Sequence, residues 1–267
     1  MTLRVTAIDW SGALMRAEKK IWLAEVVDGQ LRRLECGRDR AAVGDLLIEE
    51  ADRDREMIVG LDFAFSMPAW FLRECGVASA PALWHRVAEH GEAWLASCDA
   101  PFWGRPGRRR RSEEMFRRTE LETRKVSGIG PKSVFQIGGA GAVGTGSIRG
   151  MPLLRQLRDA GFGIWPFSGS NLPRVVEIYP RLLTGAVNKS KRESRDQYLI
   201  AHWPGLPSVM HDTAASSDDA FDAAVSAMRM WEHRQELRSL RETDDALTAL
   251  EGAVWQPNAS AWAQGSR

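Results

Sequence analysis

The chain has 267 residues, 44% hydrophobic and 27% charged, with a formal net charge of +1. That length buries a full core without disulfide staples, and the charge balance excludes a nucleic-acid binder announced by global charge alone. Its three cysteines lie far apart with no C-x-x-C pair. They argue against a disulfide framework or zinc site and for a reducing, cytoplasmic setting. No signal-like run opens the sequence and no stretch of about 18 apolar residues suits a membrane span.

In chain order, Leu3 to Asp9 alternates and is β-branched, which predicts a strand. Lys20 to Gly37 predicts two strands around Asp28-Gly29, a hairpin turn signal. Arg38 to Asp54 carries Ala42, Val43, Leu46 and Leu47 on one helical stripe. Met57 to Phe65 is a continuous apolar run, as expected of a buried strand. A strand–helix–strand order places that run parallel to a neighbour in one sheet. Pro68 to Cys75 and Pro81 to Cys98 then open with proline and read as helices.

The composition shifts at Arg105 to Lys125, with nine basic residues against four acidic. Ser133 to Ile137 reads as a strand, Gly138 to Gly150 as a glycine-rich loop, and Met151 onward as a helix capped by Gly161. Gly161 to Phe167 and Arg174 to Pro180 are the last strand candidates. Ser216 to Leu237 is the clearest helix, with serine caps and acids in the first turn. Arg238 to Val254 reads as one more helix. One domain is expected over residues 1–255, with a helical and basic insertion near 66–132 and a frayed tail at 256–267.

Carboxylates fall at telling places. Asp9 ends the first strand, Asp62 ends the buried one, and Glu177 sits within an apolar strand end. On the late helix Phe221, Ala224, Val225 and Met228 share one face, and Asp218, Asp219 and Asp222 lie beside it. Acids in a first helical turn suit the macrodipole, and Asp9 before Ser-Gly suits a turn. Asp62 and Glu177 need a buried arginine or a metal, because an unpaired buried charge is very costly. Taken together, carboxylates at separate strand ends plus a pair three apart on a helix suit one hard, oxygen-loving cation, Mg²⁺ or Mn²⁺. Such ions activate water and stabilise a leaving oxygen in phosphodiester cleavage.

Strand, hairpin, helix and strand, with aspartates ending the first and fourth strands, resembles the RNase H-like fold. "DDAFDAAVSA" (Asp218 to Ala227) resembles the last catalytic helix of Holliday-junction resolvases. Together with "AIDWSG", "GLDFAFSMP", "PKSVFQIGGAGAVGTGSIRGMPLLRQL", "WPF" and "VVEIYP", it resembles the domain-of-unknown-function family 429 of RNase H-like nucleases. The likeness covers roughly Ala7 to Ala227. It implies an α/β fold whose mixed sheet joins an antiparallel hairpin to parallel strands flanked by helices. It also implies a metal site of Asp9, Asp62, Glu177 and Asp222, with Asp219 as an alternative or second ligand. The implied activity is metal-dependent hydrolysis of nucleic acid, DNA or RNA.

Other signals compete. "GAGAVG" (Gly139 to Gly144) matches the dinucleotide fingerprint, but that fingerprint wants a helix at once, and Thr145-Gly146-Ser147, Gly150 and Pro152 read as a delay. No acid closes the next strand near Ile164–Phe167. Ser11, Lys132, Arg109, Arg110 and Arg117 are the candidate substrate contacts, the arginines through phosphate attraction. A sugar-kinase-type phosphotransferase using "DWSG", or a non-catalytic nucleic-acid module, are the alternatives. The first lacks a second Asp-Gly-Gly-like phosphate loop.

Overall fold

A computed structural model describes residues 2–105, 112–139, 141–169 and 171–257. Six strands form one mixed sheet in the order β3-β2-β1-β4-β6-β5. β1 (Arg4–Asp9) is antiparallel to β2 (Trp22–Val27), which is antiparallel to β3 (Gln30–Cys36). On its other side β1 runs parallel to β4 (Met57–Leu61), which runs parallel to β6 (Arg174–Glu177). β5 (Gly163–Ile164) adds a short parallel edge.

The local chemistry explains the order. Asp28 and Gly29 both adopt left-handed backbone, at φ 51° and 76°, as a two-residue hairpin turn requires. α1 (Arg40–Arg53) begins at Asp39, whose side chain accepts from the Ala42 amide at 2.9 Å. It returns the chain so that β4 enters beside β1.

Side-chain alternation divides the core between two faces. Ile8, Leu61 and Val175 pack on one, under α1, α3 (Ala80–Ser97) and α5 (Gly144–Asp159). Val5, Ala7, Ile58 and Val176 pack on the other, under α9 (Asp218–Glu232). Gly60 lets α9 lie close: a Cβ there would stand 2.5 Å from Met230 Sδ.

Between β4 and α5 lie α2 (Ala69–Glu74), α3 and α4 (Arg118–Glu122). Phe71, Leu83 and Trp84 place this region in the core of the first face. After β6 come α6 (Pro180–Thr184), α7 (Arg192–His202) and α8 (Ser208–Ala214), then α9, α10 (Arg234–Ser239) and α11 (Thr248–Glu251). Among the described residues, no helix is long and apolar enough to cross a membrane.

Three expectations change. Ser133 to Ile137 is no strand; Gln136 makes an isolated bridge to Trp103. The expected helix from Met151 begins at Gly144 and carries Pro152 inside it. Its glycines serve close packing: a Cβ on Gly144 would strike the Val134 carbonyl oxygen, and one on Gly150 would stand 2.7 Å from the Phe63 ring. The stretch Arg238 to Val254 holds the end of α10 and the four-residue α11 rather than one helix. Of the expected tail, residues 258–267 lie outside the described residues.

Candidate metal centre

Asp9 is the last residue of β1, and Ile8 is paired with Leu61 of the parallel β4. One further step in that register sets Asp9 beside Asp62, whose amide donates to the Ile8 carbonyl at 3.1 Å. Both continue the series that faces α9: Val5 and Ala7 before Asp9, Ile58 and Gly60 before Asp62. Neighbouring strands lie about 4.8 Å apart, so two carboxylates share one corner.

α9 supplies the rest. Ser217 caps it, accepting from the Ala220 amide at 3.0 Å. Phe221, Ala224 and Val225 are fully buried, which anchors the helix on the sheet. Asp222, beside that stripe, is 8% exposed. Asp219 is half-buried and Asp218 exposed.

Lys189, in the turn before α7, donates from Nζ to Asp222 Oδ2. It is the favourable charge for Asp9, Asp62 and Asp222 alike, and it joins Lys20 in favouring the charged form of Asp219. Asp222 Oδ1 is buried with no hydrogen-bond partner among the described residues.

The carboxyls carry the imprint of this crowding. Burial, then the charges of Asp62 and Asp222, holds Asp9 well above the usual carboxylate range. Burial and Asp222 push Asp62 up to about 8. Asp222 rises to about 6 through burial, although Lys189 opposes the rise. Asp219 is raised as well, by burial and Asp218. Tyr179 adjoins the cluster: burial, with Asp62 next, pushes its phenol up to about 12.

Glu177 belongs to a different arrangement. It pairs with Leu61 and follows Val175 in alternation, so it faces away from α9. Arg117 donates to both its oxygens, at 2.9 and 2.5 Å, and the Phe65 amide donates to Oε2 at 2.8 Å. Arg117 also donates to Glu120 Oε1 at 3.0 Å and to the Glu251 carbonyl at 3.0 Å. Both flanking carboxylates hold its guanidinium firmly charged against the cost of burial. Arg117, expected as a substrate contact, is 1% exposed with its guanidinium engaged by these carboxylates, and in that paired state it borders the cavity that Asp62 lines. Glu177 is likewise committed to a buried arginine.

A cavity of about 200 Å³ runs past both Asp62 and the Glu177–Arg117 pair, lined also by Trp10, Gly12, Lys132, Gly146 and Tyr179. Lys132 thus lies at the site. Ser11 forms the turn: its Oγ accepts from the Ala13 amide at 3.2 Å, while its carbonyl accepts from Arg40 at 2.8 Å. Gly12 lies against the backbone of α5, where a Cβ would run into the Gly146 nitrogen. Arg109 and Arg110 lie outside the described residues. The delayed helix expected after "GAGAVG" is corrected too, since α5 opens at Gly144. The dinucleotide fingerprint instead lacks its preceding strand.

Among the described residues, no three His, Cys, Asp or Glu side chains form a ready-made metal cage. The donor types nevertheless suit a hard cation: Asp62 lines the cavity, and the neighbouring Asp222 holds a buried, unpartnered carboxylate oxygen. Magnesium retains several waters and needs only one or two carboxylates. Lys189 escapes a reading of the sequence, because it stands in a polar turn with no motif around it.

Comparison of the chain with family models, curated proteins and solved structures returns no match.

Proposed function

We propose that this chain is a divalent-cation-dependent phosphodiester hydrolase, a nuclease on an RNase H-like fold. The observation that carries the reading is the shared corner of Asp9, Asp62 and Asp222. Three carboxyls repel one another there, a single lysine counters them, and Asp222 Oδ1 has no described partner. The order of hairpin, parallel strands and acidic late helix supports the finer fold.

Asp9, Asp62 and Asp222 would hold Mg²⁺ or Mn²⁺, with Asp219 at the rim. The bound cation supplies Lewis acidity to water and to a phosphoryl oxygen. Asp9 and Asp62 would hold the cation as carboxylates, so their raised affinities for protons should make binding strengthen as pH rises. Lys132 and the first turn of α5 border the same cleft and would orient a phosphate. Trp10 offers a ring wall beside them.

The test is cleavage of structured and single-stranded DNA and RNA with Mg²⁺ or Mn²⁺, comparing wild type with Asp9→Asn. Wild type should cleave at least one class and the variant should not. Equal, metal-independent cleavage by both would contradict the reading.

A further inference from the structure

Lys189 is an unusual lysine for a surface turn. Its carbonyl accepts from the buried Arg195 of α7, whose Nε and Nη2 also donate to the Ala215 carbonyl at 3.0 and 2.8 Å. Ala215 lies just before α9. One guanidinium therefore ties the lysine's backbone to the chain entering the helix that carries Asp222. The Lys189 amide closes its own turn on Val187 at 3.1 Å. Its side chain is 22% exposed, and its amine rests on Asp222 Oδ2.

We propose that Lys189 is a resident cation that limits the carboxylate cluster to one divalent ion. This rests on the reading of Asp9, Asp62 and Asp222 as a cation site. Two-ion centres place their ions a few ångströms apart, sharing carboxylates between them. Here the lysine amine already covers Oδ2 of Asp222, while Oδ1 is buried with no partner among the described residues. With Lys189 and one divalent ion, the carboxylates of Asp9, Asp62 and Asp222 are formally neutralised. A second divalent ion would leave a surplus positive charge in a partly buried corner, where like-charge repulsion is strong. The lysine thus supplies in fixed form the charge that a second ion would bring.

Titration calorimetry with Mn²⁺ alone tests this on wild type, Lys189→Met and Lys189→Arg, each checked for a cooperative thermal transition. Lys189→Met keeps much of the stem, so its packing loss is small; Lys189→Gln replaces it if the methionine variant does not fold. The expected stoichiometry is one ion per chain for wild type and Lys189→Arg, and two for the neutral variant. Electron paramagnetic resonance should then show a coupled Mn²⁺ pair only in the neutral variant. Two ions in wild type, or one in both wild type and the neutral variant, would overturn the proposal while leaving the cation site intact. No binding by folded wild type would remove the site itself.

Discussion

Two acidic clusters meet at the same end of the central parallel strands, and they are built on opposite plans. On the face under α1 and α5, Glu177 and Glu120 close around Arg117, and the Glu251 carboxylate accepts from the Ala69 and Arg118 amides at 2.8 and 2.7 Å. On the face under α9, Asp9, Asp62, Asp219 and Asp222 share Lys189 and leave an oxygen bare. A satisfied buried network fixes a fold, whereas an under-compensated one stays poised for a ligand. Asp62 stands beside both, since Glu177 is among the charges that raise it.

The largest effect should follow from breaking the satisfied cluster. Arg117→Met strands Glu177 and Glu120 in the interior and should cost about 3–5 kcal/mol in urea unfolding. A loss below about 1 kcal/mol would mean that the pairing is not what ties α4 and the β6 end together. The other cluster should respond in the reverse sense. Asp9→Asn removes a repelled charge, so it should raise the melting temperature in EDTA while lowering Mn²⁺ affinity or activity by about 100-fold or more.

A pH series separates the two further. Asp62 at about 8 and Asp222 at about 6 bind protons more tightly when folded than their ordinary 3.8. The folded state then holds more protons, so stability falls as pH rises through this window. Glu120, raised to about 7 mainly by burial, acts in the same direction. In EDTA the urea midpoint should fall between about pH 5 and 8.5, and Mn²⁺ should offset the part due to the aspartates. In Asp62→Asn the slope should shrink and the Mn²⁺ effect should vanish. The smallest effect concerns the turn: Gly12→Ala should cost about 1–3 kcal/mol by pushing β1's end off α5.

Much of the α9 face was legible in the sequence. Asp28-Gly29 announced its hairpin, and the periodicity of α9 placed Asp222 beside the buried stripe. The other face was less so. A strand buried on both sides has no alternation to read, so the direction of Glu177 was hidden in "RVVE". Arg117 looked like one more member of a basic block, because only tertiary packing distinguishes a buried arginine from its solvated neighbours. Gly144, Gly146 and Gly150 read as loop because glycine weakens helices. Gly144 and Gly150 instead clear room for other groups, and α5 runs through all three. Lys189 had no pattern at all; its place comes from Arg195 and from the path of the chain into α9.

The central claim is that the corner of Asp9, Asp62 and Asp222 binds a divalent cation. Anomalous scattering from a Mn²⁺-soaked crystal tests it most directly. The account predicts a peak bounded by these three carboxylates, on the α9 face and away from Glu177. A peak between Glu177 and Glu120, or no peak at the corner at saturating Mn²⁺, would contradict it.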